Sequence, residues 1–188
     1  MKLGFIGAGN MAKAMIGGIL KNNIFKPEEV IASDLYEPGL RQAKESLGIH
    51  VTTDNKEVAR TAEVLVLSVK PQFYDAVIKE IKELITETQI IVTIAPGKTL
   101  EYLAGAFEKP VKLVRTMPNT PALVGEGITG VCRNDLVTKE ELDYICNILS
   151  GFGMAQVLSE NLMDVVVSVS GSSPAYVFML IEAMADGA

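Results

Sequence analysis

The chain has 188 residues, with 23 Asp and Glu against 17 Lys and Arg, a formal net charge of −6. An acidic chain with no basic run carries no electrostatic footprint for nucleic acid, so that class of function is excluded first. Hydrophobic residues at 48% predict a packed core. No apolar run reads as long enough to cross a membrane, and the N-terminus lacks the basic, apolar and small-residue succession of a signal peptide.

The opening Lys2–Ile6 reads as a short buried strand. It runs into Gly7-Ala8-Gly9-Asn10-Met11-Ala12 and then a helix, Lys13–Leu20. Strand, glycine turn and helix in succession form the G-x-G-x-x-A version of the dinucleotide-binding fingerprint. Gly7 permits the sharp turn, Gly9 lets a pyrophosphate approach the backbone, and Ala12 is small where helix and strand pack. The helix end offers N–H groups and the positive end of its dipole to phosphate.

Asn22, Asn23 and Pro27 mark a turn before a second strand, Val30–Ser33. That strand ends at Asp34, which is placed to accept hydrogen bonds from the adenosine ribose. The alternative for Asp34 is a cap for the following segment, and Ser33 is a second candidate for the ribose contact. A helix over Gly39–Leu47, a strand over Ile49–Thr52 and a brief helix opening at Asp54 come next. Val64–Leu67 is a continuous apolar run, as expected for a parallel strand covered on both faces. It ends in Ser68-Val69-Lys70-Pro71-Gln72, followed by a helix over Phe73–Ile85. Ile90–Ile94 is another buried strand ending at Ala95-Pro96-Gly97, and Val111–Arg115 ends at Met117-Pro118-Asn119-Thr120-Pro121.

This alternation predicts an α/β fold of Rossmann type, a doubly wound, mostly parallel sheet. Ligands of such sheets lie outside the carboxyl ends of the strands. Five polar, Gly- and Pro-rich segments fall there: 7–10, 33–34, 68–72, 95–97 and 117–121.

Gly127–Arg133 and Met154–Leu158 read as two further strands, with an amphipathic helix Lys139–Leu149 between them capped by Thr138. Asn161–Ser168 reads as helix, although Val165-Val166-Val167 also suits a strand. A last helix is expected from Ala175 to the end, started by Ser172-Ser173-Pro174, whose N–H groups and hydroxyls would form an anion site or simply a cap. Cys132 and Cys146 show no metal spacing and no C-x-x-C, which suits reduced buried thiols in the cytoplasm. His50, the only histidine, reads as a surface residue.

Four stretches resemble the pyrroline-5-carboxylate reductase family. They are Phe5-Ile6-Gly7-Ala8-Gly9-Asn10-Met11, Ser68-Val69-Lys70-Pro71-Gln72, Val114 to Ala122 with its Met-Pro-Asn-Thr-Pro-Ala core, and Ser170-Gly171-Ser172-Ser173-Pro174-Ala175-Tyr176. The first is shared with many dehydrogenases, and the last two are far more specific. The resemblance implies reduction of 1-pyrroline-5-carboxylate to L-proline with NADPH or NADH, the last step of proline synthesis. It implies cofactor contacts at Ile6, Gly7, Ala8, Gly9, Asn10, Met11, Ser33 or Asp34, Asn55, Ser68, Val69, Lys70, Pro71, Ala95 and Gly97, with Asn119 near the nicotinamide. Substrate contact is implied at Glu160, for which a surface or helix-start position is the alternative.

The resemblance divides the chain into a dinucleotide-binding domain, 1–160, and the first part of an all-helical substrate and dimerisation domain, 161–188. The family continues with further helices bearing a Ser-Pro-Gly-Gly-Thr-Thr stretch that closes on the substrate and helps build the dimer. On this reading the chain is truncated, with a homodimer or higher oligomer expected through the helical domain. A non-catalytic NAD(P)-binding module is the alternative. A β-hydroxyacid dehydrogenase is a second alternative, opposed by Met117–Ala122. Asp34 would repel a 2′-phosphate, so use of both cofactors is expected.

Overall fold

The computed structural model describes residues 2–188. Eight strands form one sheet: β1 Leu3–Ile6, β2 Val30–Ser33, β3 His50–Thr52, β4 Val64–Leu67, β5 Ile90–Thr93, β6 Lys112–Met117, β7 Gly127–Arg133 and β8 Gly153–Val157. Their order is β3-β2-β1-β4-β5-β6-β7-β8. The first six are parallel, β7 runs antiparallel to β6, and β8 runs parallel to β7. The chain therefore reverses direction across the sheet at β1/β4, the topological switch point where such folds open a crevice.

Both faces are covered. Leu3 and Phe5 of β1 point to one side, where they pack in a core with Met15, Ile16 and Ile19 of α1 (Asn10–Lys21) and Ile145 and Ile148 of α6 (Lys139–Leu149). Ile6, Leu65 and Leu67 point to the other side, toward Tyr74, Ile78 and Ile81 of α4 (Tyr74–Ile81) and Leu103 and Phe107 of α5 (Leu100–Phe107). Burial on both sides explains why the central strands read as unbroken apolar runs.

The remaining helices are α2 Glu37–Leu47, α3 Asn55–Thr61, α7 Met163–Val166 and α8 Ser173–Asp186. Helix α5 is absent from the sequence-based reading. Thr99 caps it by accepting the Tyr102 N–H at 3.1 Å, but the helix is only eight residues long and contains Gly105, so its periodicity is weak. Helix α1 begins three residues earlier than expected, and the expected helix to Ile85 ends at Ile81 with a 3₁₀ turn beyond it. Cys132 is buried, and burial pushes its thiol up to about 11. Cys146 is half-buried, and both thiols are free.

Two further expectations are corrected at the C-terminal end. Ser173 and Pro174 open helix α8 as expected, but they do not form a free helix start. Helix α7 passes through a π-helical turn, Val167–Gly171, directly into α8. Ser172 has helical dihedrals and its N–H is bonded to Val169 O. Pro174 has no N–H to give, and a π-turn just before it absorbs the lost bond. Joined in this way, Glu160–Asp186 forms 27 residues of continuous helix with a mean hydropathy of 1.4 over 18 of them, none buried. By length and composition alone that helix is long and apolar enough to cross a membrane, contrary to the reading that split it at Ser170–Pro174.

Tyr74 sits fully buried between the ends of β4 and β5. Its hydroxyl donates to Leu67 O at 2.6 Å and lies 2.8 Å from Thr93 Oγ1. Loss of hydration raises its pKa from 10.0 to about 12, against the opposing pull of its hydrogen bonds. The folded state thus holds this proton more tightly than the unfolded chain. The resulting stabilisation, about 2–3 kcal/mol, is fully present below about pH 10 and is lost as the pH rises through about 12. Unfolding free energies measured across that window are expected to fall by this amount in the wild type and not in Tyr74→Phe. Equal slopes in the two proteins would disprove the assignment.

Candidate functional site

The site grows from the meeting of three strand ends. Gly7 leaves β1 with φ +102°, and a Cβ there would stand 2.7 Å from the Ser68 carbonyl carbon and oxygen. Only glycine meets both demands. Its N–H donates to Ser33 O at 2.8 Å, joining it to β2. Ser68 ties in β4: its N–H donates to Ile6 O at 2.8 Å, and its hydroxyl lies 2.7 Å from Gly7 O.

Gly9 is different. Its φ is −72° and a Cβ there would meet nothing within 4 Å. The first bond inside α1 runs from the Lys13 N–H to Gly9 O at 3.0 Å. The N–H groups of Asn10, Met11 and Ala12 therefore face out of the helix end, at the positive end of its dipole. This space over the Gly9 backbone is what a pyrophosphate requires, and the residues present fit a dinucleotide.

Asp34 stands beside it. Its Oδ2 accepts the Ala8 N–H at 2.8 Å and its Oδ1 accepts the Tyr36 N–H at 3.0 Å. Each oxygen keeps a lone pair for a ribose hydroxyl. The cap expected as the alternative is present only in this local sense, because the helix after Asp34 has no side-chain cap.

From these ends a groove of about 820 Å³ extends past β4 and β5 to β6. Gly7, Gly9, Asn10, Met11, Asp34, Ser68, Val69, Lys70, Pro71 and Ala95 all line it, as the sequence reading expects. Ile6 and Ala8 lie buried beneath it. Ser33 is wholly buried and donates to Asn55 Oδ1 at 2.8 Å, so neither residue is on the groove wall, and Gly97 also lies off it. Sequence reasoning missed Phe73, Ile94 and Leu123 as lining residues. Phe73 is 54% and Leu123 61% exposed, and only Phe73, two positions after Pro71, left a positional signal.

Asn119 lies between Pro118 and Thr120, which line the far end of the groove. Its Oδ1 accepts the Ile128 N–H at 2.9 Å and its Nδ2 donates to Ser170 Oγ at 3.2 Å. A Cβ on Gly171 would come within 2.8 Å of Met117 Cε, another lining atom. The π-turn is thereby held against the β6 end of the groove. Ser172 and Ser173 stand half-buried just beyond it, and the Ser172 hydroxyl donates to Val167 O at 3.1 Å.

Glu160 is placed elsewhere. Its Oε1 receives Arg115 Nη1 at 3.0 Å and the Leu100 N–H at 2.8 Å. Arg115, only 3% exposed, also reaches Asp164 at 3.3 Å. This cluster fastens the start of the long helix to β6 and to the N-terminus of α5.

Residues 2–97 match the family model described as NADP oxidoreductase, coenzyme F420-dependent, and residues 160–188 match that of pyrroline-5-carboxylate reductase dimerisation. The pyrroline-5-carboxylate reductase of Methanosarcina acetivorans is 42% identical over 187 residues, an alignment covering 100% of this chain and 69% of that protein. The structure of a Coxiella burnetii pyrroline-5-carboxylate reductase superposes with a TM-score of 0.92 at 33% identity, covering 99% of this chain and 69% of that one. The Plasmodium falciparum enzyme, a pyrroline carboxylate reductase with NADP bound, superposes with a TM-score of 0.90 at 32% identity, covering 100% of this chain and 68% of that one. Groove, sheet order and sequence lead to the same place: the chain belongs to the pyrroline-5-carboxylate reductase family.

Proposed function

We propose that this chain reduces the cyclic imine 1-pyrroline-5-carboxylate to L-proline with NADPH or NADH, the last step of proline synthesis. The observation that carries the reading is the open approach over Gly9 at the end of α1, with Asp34 beside it and a groove running on to the Met117–Thr120 segment. Bound NAD(P)H supplies the hydride for C5 of the imine. The chain supplies position. Asn10 and Met11 hold the pyrophosphate, Asp34 the ribose, and Ser68, Lys70 and Ala95 line the path between them. Val69, Pro71, Pro96 and Met117 wall the nicotinamide end with apolar surface and exclude water there. His50 lies exposed on β3, away from the groove; the imine nitrogen takes its proton from solvent and enters as the iminium, so hydride addition at C5 leaves the amine and the chain supplies orientation.

The substrate falls where the groove meets the π-turn, near Ser172 and Ser173, with Asn119 bracing that junction through Ser170. The division into domains then falls at residue 160, where the long helix starts. The unburied face of that helix is apolar surface that a second subunit would cover, which supports a homodimer or higher oligomer. The two free thiols suit a cytoplasmic location.

The test is proline formation from 1-pyrroline-5-carboxylate and NAD(P)H. It would be run on this chain and on a chimera continued with the C-terminal part of the Methanosarcina relative. Turnover by either supports the proposal. Cofactor binding by both with proline formed by neither would overturn it in favour of a non-catalytic binding module.

A further inference from the structure

The last pair of the β4–β5 ladder is Leu67 with Thr93. Beyond it the two strands part, and each runs into a stretch that lines the groove, Ser68–Pro71 on one side and Ile94–Pro96 on the other. The fork is filled from beneath by Tyr74, the first residue of α4 and wholly buried.

The proton direction in this fork is forced. Leu67 O is a carbonyl and only accepts, so the bond at 2.6 Å takes the single phenol proton. Thr93 Oγ1, 2.8 Å from the phenol oxygen, must therefore donate to it. Thr93 Oγ1 in turn accepts the Ala95 N–H at 3.4 Å. The Ile94 and Ala95 N–H groups are also turned toward the phenol oxygen, where they favour its charged form. Thr93 O accepts the Thr116 hydroxyl at 2.9 Å, which brings in β6 just before Met117. One buried network thus joins the ends of β4, β5 and β6. Two of its members, Ile94 and Ala95, are themselves groove-lining residues. A phenylalanine ring would fill the same space, and what the hydroxyl adds is the tie between strand ends.

We infer that Tyr74, acting with Thr93, is a positioning residue for the nicotinamide half of the cofactor: it sets the separation of the Ser68–Pro71 and Ile94–Pro96 walls. The inference rests on the dinucleotide reading of the groove. Tyr74 touches no cofactor atom in this scheme. Without its hydroxyl, Leu67 O loses a buried donor and the Thr93 hydroxyl loses its acceptor, so the Ile94–Pro96 wall is free to shift against its neighbour.

The two halves of the site can be read separately on the whole chain, by fluorescence titration with NADH and by calorimetric binding of 5′-ADP, which stops short of the nicotinamide. Tyr74→Phe is expected to raise the Kd for NADH by about tenfold, the size of one buried hydrogen bond left unmade, with 5′-ADP affinity held within about twofold. Thr93→Val removes both the donor to the phenol and the acceptor of the Ala95 N–H, and should reproduce that split. Thr93→Ser keeps the hydroxyl and should retain wild-type affinity for both ligands. Ile148→Val, a core change on the opposite face of the sheet, lowers stability without touching the fork and should leave both affinities unchanged. If Tyr74→Phe does not fold, the two Thr93 variants carry the same decision. Unchanged NADH affinity in Tyr74→Phe, a parallel loss of NADH and 5′-ADP, or the same split in Ile148→Val overturns the inference while leaving the dinucleotide groove intact. A wild type that binds neither ligand overturns the groove reading itself and this inference with it.

Discussion

Gly9→Val is expected to fold normally and to lose dinucleotide binding by about a hundredfold or more. The two halves of that result have separate causes. With φ at −72° and nothing within 4 Å of the new Cβ, valine fits the native backbone. The cost to stability is the poorer helix cap, about 1 kcal/mol or less. The branched side chain, however, fills the open space over the Gly9 backbone that a pyrophosphate needs to reach the N–H groups of Asn10 and Met11. A hundredfold loss is about 3 kcal/mol, the scale of several phosphate hydrogen bonds. Gly7→Ala should behave in the opposite way. Its Cβ would stand 2.7 Å from the Ser68 carbonyl at φ +102°, so it should lose stability and binding together. Dissociation constants for NADH beside urea-unfolding midpoints separate the two. A Gly9→Val protein with wild-type affinity would show that the dinucleotide does not cross this turn.

These two glycines also show why so much of the site was legible in the sequence. A strand buried on both faces reads as an apolar run, and the topology of a parallel sheet collects the segments that follow such runs on one edge. Naming the runs at Lys2–Ile6, Val64–Leu67 and Ile90–Ile94 was therefore enough to place Gly9, Ser68 and Ala95 along one groove. What stayed hidden depends on partners far away in the chain. Nothing near Ser33 announces that its hydroxyl is committed to Asn55, or that Asn55 donates to Glu80. The direction of β7 leaves no mark either, because Val131 and Cys132 are buried whichever way the strand runs. Pro174 tells only half: proline after serines reads as a helix start, which it is, and only the structure shows the π-turn Val167–Gly171 that joins this helix to α7.

Glu160 is the sharpest case of a distant partner, and it carries the second large effect. Glu160→Ala is expected to lower stability by about 3 kcal/mol, a fall in Tm of about 6–12 °C for a chain of this size. The reason lies with Arg115. Its guanidinium is 3% exposed, and its remaining partner, Asp164, is 88% exposed and 3.3 Å away. Removing Glu160 leaves a buried charge poorly compensated, and the Leu100 N–H at the start of α5 loses its acceptor as well. If the penalty comes from the orphaned charge, removing the charge should relieve it. The double variant Arg115→Met, Glu160→Leu is expected to recover most of the loss, because apolar side chains of similar size replace a buried pair at little cost. Urea denaturation of the wild type, Arg115→Met, Glu160→Leu and the double variant gives the coupling directly. A Glu160→Ala protein of unchanged stability with a raised KM for 1-pyrroline-5-carboxylate would return this residue to the substrate. The predicted pattern instead makes it the joint that sets the long helix, and with it the Ser172–Ser173 segment, against the end of the groove.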